Sequence, residues 1–385
     1  MPQDRTIPHV GRRTIAVTSA AFIQLVNPFE MQEMTIMRMQ GIGRWTKWMG
    51  AALCAASLLA ASPAVLAQGK PEKAKVTIAV GGKALFYYLP LTIAERLGYF
   101  KDEGLDVEIV DFAGGAKALQ AVVGGSADVV SGAYEHTLVL QAKGQTYQEF
   151  VLQGRAPQIV LAVNNKTMPN YKSIADLKGK RIGVTAPGSS TNIMVNYVLA
   201  RAGIKPSEVS FIGVGPSNGA IAAVRAGQID ALANLDPVTS MLTQKNEVRI
   251  ISDTRTLADT RAVFGGNMPA GCLYASTSFI QKNPNTTQAL TNAMVRALKW
   301  LQKAGPSDIV KAVPEAYLLG DRALYLAAWE KVREAISPDG VMPDDGPATA
   351  LRTLSEFDAE VKGKPIKLDQ TFTNAFVQKA NAKYK

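Results

Sequence analysis

Residues Asp176–Gly203, DLKGKRIGVTAPGSSTNIMVNYVLARAG, predict a strand, a tight glycine turn and a helix. Residues 181–186 alternate apolar with polar or small side chains as a short strand does, and Pro187-Gly188 interrupts them. Residues 189–191 are hydroxyl-bearing N-cap types, and apolar side chains then recur at helical spacing. Such a turn presents unpaired backbone N–H groups at the positive end of a helix dipole. The stretch predicts either an anion-binding turn or an ordinary capped helix.

The same strand–helix order occurs on both sides of this stretch. Before it, strands are predicted at 76–80, 105–110 and 127–130, with helices between them. From 181 the pattern restarts, with strands near 209–213 and 229–232. Residues 124–128, GGSAD, match residues 226–230, AGQID, at an offset of 102. We therefore predict an α/β protein of two similar lobes, each a mostly parallel sheet with flanking crossover helices.

The alternation of predicted strands and helices ends at about Phe264. Cys272–Ser276 is predicted to return to the first lobe as a strand. The remainder is predicted to be helical and to pack on one lobe, with helices at 284–303, 307–319, 321–336, 348–361 and 369–383. This places lobe 1 at 76–160 plus 270–385 and lobe 2 at 165–266, with strand crossings near 158–165 and 266–275.

Composition limits the chemistry that the chain can perform. Its net charge is +10, and residues 68–385 carry 36 Lys and Arg against 29 Asp and Glu. This charge is dispersed, which argues against a nucleic-acid surface and fits either attraction of small anions or a basic surface without a ligand. The chain has two cysteines, Cys54 and Cys272, and two histidines, His9 and His136. These are too few for a zinc site or a serine triad, so no metal, cofactor or catalytic residue is expected.

The N-terminal residues have the pattern of an export signal. Residues 1–36 show no clear period and are interpreted as a segment outside the domains. Residues 37–67 have a basic start, an apolar stretch and a small-residue end, which predicts a signal peptide cleaved after Ala67 and a periplasmic product. An uncleaved anchor is the alternative.

In open α/β sheets, ligands bind at the carboxyl ends of the strands. The loops predicted there are 81–88, 112–116, 131–136, 187–191, 213–218 and 234–237. They are rich in glycine, hydroxyl groups and aromatic rings, and the facing loops of two lobes would line a cleft. The sole histidine in these loops, His136, is predicted to be structural or exposed.

Three motifs resemble a known family. Residues 88–107, YLPLTIAERLGYFKDEGLDV, residues 176–184, DLKGKRIGV, and the turn 188–191, GSST, are similar to hallmark segments of the sulfonate/nitrate/taurine-type periplasmic substrate-binding proteins of ABC importers. The resemblance extends from about Val76 to the C-terminus. It implies a two-lobed type II periplasmic binding fold that closes on its ligand by a hinge.

The resemblance also implies a site and partners. The function implied is capture of a small anionic, organic ligand, sulfonate- or carboxylate-like, and its delivery to an inner-membrane permease, by a monomer that binds no nucleic acid. Position within the motifs gives the candidate ligand-binding residues Lys83, Phe86, Tyr87, Ser131, Tyr134, Ser189, Ser190, Thr191 and Asp236. The hydroxyl turn would hold the anionic head, and Tyr87 and Tyr134 would stack on the remainder. Asp236 would take a ligand amine or only position its loop.

Other functions use the same fold. The superfamily includes thiamine-pyrimidine synthases, which need a histidine and a cysteine cluster, and ligand-sensing regulatory domains, which need a helix-turn-helix. This sequence shows neither feature. A binding protein that serves a signalling receptor is a further alternative.

Overall fold

The computed structural model describes residues 69–385. The predicted upstream segment 1–36, the signal peptide 37–67 and the cleavage after Ala67 lie outside the described residues. Within the described part of the chain, no helix combines the length and apolarity needed to cross a membrane.

Within residues 69–385, ten strands form two five-stranded sheets. The first sheet has the order β2-β1-β3-β10-β4, and the second has the order β7-β6-β8-β5-β9. We call each sheet with the helices packed on it lobe 1 and lobe 2, respectively. The strands are β1 Lys75–Val80, β2 Asp106–Asp111, β3 Val129–Ala133, β4 Tyr147–Leu152, β5 Val160–Asn164, β6 Arg181–Val184, β7 Ser210–Gly213, β8 Ala231–Asn234, β9 Val248–Asp253 and β10 Gly271–Ser276.

Fourteen α-helices connect and cover the sheets in the described residues. Between the strands lie α1 Leu89–Arg96, α2 Tyr99–Asp102, α3 Gly115–Val123, α4 Glu135–Ala142, α5 Ser190–Arg201, α6 Asn218–Ala226, α7 Val238–Gln244 and α8 Leu257–Phe264. After β10 come α9 Thr277–Lys282, α10 Pro284–Lys303, α11 Pro306–Ala312, α12 Arg322–Val332, α13 Gly346–Ser355 and α14 Ala375–Lys383. Short 3₁₀ turns occupy 86–88, 174–177, 206–208, 315–318, 333–335 and 368–370.

The two lobes repeat one plan. In each sheet four strands run parallel and one runs antiparallel, and the antiparallel strand is the first after the chain crosses from the other lobe, β5 in lobe 2 and β10 in lobe 1. The matching segments 124–128 and 226–230 have the same structural role in the two lobes. Asp128 accepts a 2.9 Å hydrogen bond from the backbone N–H of Thr77, and Asp230 accepts one of 2.9 Å from that of Arg181. These carboxylates therefore hold equivalent strands, β1 in lobe 1 and β6 in lobe 2.

The C-terminal helices pack mainly on lobe 1. The long helix α10 contacts α1, α14 and strand β4, and it buries Leu290, Met294, Leu298 and Leu301 completely. Its predicted bounds are correct to the residue. The helix predicted over 307–319 is wrong in extent, because α11 ends at Ala312 and Pro314 removes a backbone donor before a separate 3₁₀ turn.

Two further predicted boundaries are wrong. The final helix begins at Ala375 rather than near 369, after a separate 3₁₀ turn. The predicted loop 131–136 is wrong as well, because β3 continues through Ala133 and α4 begins at Glu135. Residues 131–133 pair with β10, a strand that lies far along the chain, and this pairing extends β3 beyond its predicted end.

Candidate functional site

A small cavity lies where strand ends of the two lobes meet. Its volume is about 10 Å³, the space of roughly one water molecule, so a larger ligand needs the lobes further apart. Its lining residues come from the segments after β1, β6 and β8 and from the start of α3. They are Gly81, Leu85, Tyr87, Tyr88, Gly115, Thr185, Ser190 and Leu235. None of these eight has a charged side chain. The position agrees with the expectation that ligands bind at the carboxyl ends of strands.

The first turns of two helices converge on this cavity. Gly115 is the first residue of α3 in lobe 1, Ser190 is the first of α5 in lobe 2, and both line the cavity. The first backbone N–H groups of a helix have no acceptor within that helix, and its dipole is positive at that end. Two such ends aimed at one space from opposite walls form an environment suited to an anion.

The turn before α5 is held by its own side chains. The backbone N–H of Gly188 donates to Asn192 Oδ1 at 2.9 Å, and Gly188 has a φ of +82°, which favours glycine. Thr191 Oγ1 accepts from the backbone N–H of Thr185 at 3.1 Å and lies 2.9 Å from its hydroxyl. The turn is therefore preorganised, and its geometry does not depend on a ligand.

Direct contacts join the lobes around the cavity. The backbone N–H of Ala116 donates to Ser189 Oγ at 3.0 Å, and that of Phe86 donates to the Asp236 carbonyl at 3.2 Å. A Cβ atom on Gly114 would lie 2.9 Å from Ala186 Cβ, so the two backbones approach where only glycine fits. The structure is thus a closed arrangement of the two lobes.

The structure brings three candidate residues to the cavity or its wall. Tyr87 and Ser190 line it, and Ser189 bonds across the cleft beside it. The Tyr87 hydroxyl is buried and has no hydrogen-bond partner among the described residues. An unpaired buried hydroxyl costs about 1–3 kcal/mol, so this group is available to a ligand or to water.

The other candidate side chains are engaged elsewhere. Lys83 pairs with Glu95 at 2.6 Å, and the Phe86 ring packs against Tyr325 and Trp329. Ser131 accepts from Gln153 Nε2 at 2.9 Å, the Tyr134 hydroxyl lies 2.6 Å from Thr371 Oγ1, and Thr191 braces Thr185. Asp236 Oδ1 accepts from Thr239 and the Ser240 backbone, and its Oδ2 lies 3.2 Å from Arg255. These contacts position loops rather than offer free groups to a ligand.

Sequence reasoning missed several residues of the site. Gly81, Leu85, Tyr88, Thr185 and Leu235 line the cavity but were not among the candidates. Gly115 has a signal in the sequence, because the pair Gly114-Gly115 before a predicted helix indicates either an anion-binding helix start or a tight turn. The hydrophobic wall residues carry no comparable signal, since any apolar loop residue near a sheet has the same appearance in sequence.

Burial determines the protonation of the groups below the cavity. It raises the pKa values of Tyr87 and Tyr88, chiefly by desolvation, and raises the pKa of Glu135 to about 7. Desolvation lowers the pKa of His136 to about 4, although its hydrogen bond to the Gly188 carbonyl opposes this. At neutral pH His136 and the tyrosines are therefore uncharged.

The sequence profile of the NMT1-like family matches residues 69–313. The chain belongs to the NMT1-like family. A solved structure of a Bordetella bronchiseptica RB50 protein is 64% identical, covers 82% of this chain and 99% of its own, and superposes with a TM-score of 0.81. Membership of this family confirms the predicted resemblance.

More distant comparisons support the two-lobed fold. The alkanesulfonate-binding protein SsuA from Xanthomonas axonopodis pv. citri, solved bound to MOPS, has a TM-score of 0.60 at 23% identity, covering 79% of this chain and 99% of its own. The putative binding protein YtlA of Bacillus subtilis is 23% identical over 80% of this chain and 90% of its own length. The periplasmic binding protein fold is thereby confirmed.

Relatives with another activity also match. The 4-amino-5-hydroxymethyl-2-methylpyrimidine phosphate synthase THI13 of Saccharomyces cerevisiae is 24% identical over 63% of this chain and 70% of its own length. This NMT1-like chain is thus related both to proteins named for binding and to proteins named as synthases.

Proposed function

We propose that this protein is the periplasmic receptor of an ABC importer, which binds a small organic anion between its lobes and presents it to a permease. One observation carries the proposal: the N-termini of α3 and α5, one from each lobe, converge on a single cavity. Opening the lobes separates these ends, and closing brings both against the ligand. Binding and closure are therefore coupled, as a receptor requires.

The charges around the cavity favour one negative charge on the ligand. Lys83 is neutralised by Glu95, and none of the described residues that line the cavity has a charged side chain. Two helix ends supply roughly one unit of positive charge together. We propose that Ser189 and Ser190 form the anion-binding wall and that Tyr87, with Tyr88, contacts the remainder of the ligand. The lobe bounds proposed for this motion are 76–160 plus 270–385 and 165–266.

The proposed localisation and partners follow from the same assignment as a receptor of an ABC importer. An exported chain whose binding fold matches ABC-system receptors would act as a monomer in the periplasm and meet an inner-membrane permease. The relatives named as binding proteins support this assignment. We propose that the chain performs no chemistry on its ligand.

A synthase of the thiamine-pyrimidine type is the second candidate, because yeast synthases are among the relatives. The described residues hold one cysteine, Cys272, which is buried and whose pKa is raised by desolvation. They also hold one histidine, His136, with both ring nitrogens engaged by protein groups. A thiolate ligand set of the kind that such a synthase needs is not assembled by these residues.

A ligand panel tests the proposal. The whole chain is expressed and the purified product is melted with alkanesulfonates, carboxylates, nitrate, bicarbonate and pyrimidines, each with a cationic analogue as control. A ligand at 100 times its Kd stabilises the folded state by about 2.7 kcal/mol, which raises Tm by a few degrees. We expect an anion to give this shift. Stabilisation by cations alone, or conversion of a pyrimidine precursor, would contradict the receptor assignment.

A further inference from the structure

His136 lies between the two lobes, outside the set of groups assigned to the ligand. It is the second residue of α4 in lobe 1 and is 3% exposed. Its Nε2 lies 3.2 Å from the carbonyl oxygen of Gly188 in lobe 2, and its Nδ1 lies 3.0 Å from the hydroxyl of Tyr274 on β10. One side chain therefore connects the proposed anion-binding turn to the strand that follows the second crossing between lobes.

The partners determine the protonation state of the ring. A carbonyl oxygen only accepts, so Nε2 carries the hydrogen and donates to Gly188. In a neutral imidazole Nδ1 is then the acceptor, and the Tyr274 hydroxyl donates to it. The neutral ring satisfies both contacts. An imidazolium would retain its donation to Gly188 and donate Nδ1–H to the Tyr274 oxygen, but the Tyr274 hydroxyl proton would then lose its acceptor in a buried site.

The contact with Gly188 orients the ligand turn. Gly188 immediately precedes Ser189 and Ser190, so its carbonyl direction determines the peptide planes that start α5. The ring also lies close to Gly115, which lines the cavity, since a Cβ atom on Gly115 would be 3.6 Å from its Cε1. Separation of the lobes would break the bond to Gly188 and open the Nε2 side of the ring to water.

We propose that His136 is a positioning residue that holds the closed lobes together in its neutral form and releases them when it is protonated. The proposal deepens the proposed function, because it takes lobe closure to be the binding motion. In the closed structure desolvation holds the pKa of His136 near 4, whereas a hydrated ring in the open form has its ordinary value of about 6.5. Acid therefore favours the open form as pH falls from about 6.5 to about 4.

The other groups around the ring do not account for such a transition. From its own helix Glu135 is the neighbour, and its pKa of about 7 reflects its burial. From β10 and the 86–88 turn come Tyr274 and Tyr88, whose pKa values burial raises above their ordinary range. Lobe 2 contributes the turn 187–192, PGSSTN, which has no titratable side chain. A change in the exposure of Glu135 on opening would have the opposite sign, because acid would then favour the closed form.

The experiment measures lobe separation without a ligand. Spin labels are placed at the exposed positions Lys117→Cys and Asn218→Cys, on α3 and α6, in a Cys54→Ser background; Cys272 is buried. Electron–electron double resonance between pH 7.5 and 4.5 gives the ratio of closed to open molecules. We expect the ratio to fall below about pH 6 by up to tenfold per pH unit.

Two substitutions at His136 distinguish the effect of its hydrogen bond to Gly188 from the effect of its protonation. His136→Gln retains an N–H donor for Gly188 but does not titrate, so its closed-to-open ratio should be independent of pH. His136→Phe retains the ring volume but no donor, so its ratio should be about 5–10-fold lower at pH 7.5 and also independent of pH. Glu135→Gln, placed in the wild-type background, should leave the transition in place.

Several results would overturn the proposal. They are a wild-type ratio that does not change with pH, a His136→Gln protein with the wild-type transition, a Glu135→Gln protein without it, and a His136→Phe protein that folds and closes like the wild type. Cooperative thermal unfolding establishes that each variant is folded, and His136→Gln remains informative if His136→Phe does not fold. Because no ligand is added, failure here is distinct from failure to find an anion that binds.

Discussion

Ser189 accepts a 3.0 Å hydrogen bond at Oγ from the backbone N–H of Ala116 in the opposite lobe, although it is the N-cap residue of α5. Its side chain makes no capping bond to its own helix. A serine at an N-cap usually serves the helix that it precedes. Here the hydroxyl instead satisfies the first turn of α3, so the N-termini of the two helices are joined across the cleft.

Ser189→Ala should therefore weaken binding without weakening α5. Loss of one neutral hydrogen bond between the lobes costs about 0.5–1.5 kcal/mol, which corresponds to a roughly 2–12-fold increase in Kd. Calorimetric titration with the anion found in the panel measures this change, and Ser207→Ala, at an exposed serine, is the control. A lower Tm of the ligand-free protein with unchanged Kd would show that the hydroxyl is a helix cap after all.

Gly114→Ala should block closure while leaving both lobes folded. A Cβ atom there would lie 2.9 Å from Ala186 Cβ and 3.0 Å from Ser189 Oγ, both in lobe 2. The φ of Gly114 is 167°, an extended value that alanine adopts without strain, so lobe 1 alone tolerates the change. Overpacking of this kind costs about 1–3 kcal/mol, or roughly 5–150-fold in Kd. The control is Gly305→Ala, whose Cβ would make only an ordinary 3.6 Å contact with Asp308. Equal affinity in the two variants would contradict closure as the binding motion.

Tyr87→Phe should lower affinity but not stability. The Tyr87 hydroxyl is buried and has no partner within residues 69–385, so its removal leaves the unfolding free energy of the ligand-free protein unchanged or up to about 1 kcal/mol higher. A ligand that uses the hydroxyl should bind about 2–12-fold more weakly. Tyr134→Phe is the matched control, because its hydroxyl bonds Thr371 inside lobe 1 and its loss should reduce stability alone. If Tyr87→Phe binds as tightly as the wild type, the ligand does not reach this wall.

Asp236→Asn should destabilise the fold. Its carboxylate is fully buried, lies 3.2 Å from Arg255, and also accepts from the backbone N–H of Ser240. Breaking a buried ion pair by removing one partner costs about 3–5 kcal/mol, and Asp253, which also pairs with Arg255, reduces the expected loss to about 2–3 kcal/mol. Urea unfolding measures it. Glu247→Gln, in the half-exposed pair with Arg225, should cost under about 1 kcal/mol. A loss of binding with full stability would instead assign Asp236 to the ligand.

Glu135→Gln should alter how stability depends on pH. The pKa of Glu135 is raised by burial to about 7, against 4.5 for a hydrated glutamate. Between these values the native state keeps the proton and the unfolded state has lost it, so stability falls as pH rises from 4.5 to 7. At pH 8 the glutamine variant should be more stable by up to roughly 3 kcal/mol, with near equality at pH 4.5.

The comparison of Glu135→Gln requires unfolding curves at both pH values. Glu108→Gln, at an exposed position on β2, should leave the difference between them unchanged. Buried Glu149, whose pKa is raised in the same direction, should keep part of the slope in every variant. A Glu135→Gln protein that loses stability at pH 8 would show that the ionised carboxylate is needed.

Local patterns were sufficient for the plan of the fold. The alternation of 181–186, the hydroxyl turn and the repeated GGSAD and AGQID segments report on neighbouring residues, and they predicted two α/β lobes and the return of β10. The positions of side chains depend on distant partners instead. Phe86 faces Trp329 on α12, and Asp236 meets Arg255, so neither could be placed before the chain was folded.

The residues of the site show the same difference between features set by neighbouring residues and features set by distant partners. The turn at 187–191 was predicted because its geometry is local, whereas Ser131 and Tyr134 were placed in a loop that pairing with β10 converts into strand and buried helix start. His136 was predicted to be structural or exposed, and its place between Gly188 and Tyr274 depends on two lobes and on a strand far along the chain.

Strand β10 has a consequence for how the polypeptide is made. It lies between β3 and β4 in the first sheet, yet it follows every strand of the second sheet in the chain. A chain that emerges from its N-terminus can complete the hydrogen bonds of lobe 2 while β3 and β4 still have unpaired edges, and these wait until Gly271 has been synthesised. Unpaired strand edges are where newly made chains aggregate. The lobe that begins the polypeptide is the last to be finished, so protection during synthesis matters most for the half that appears first.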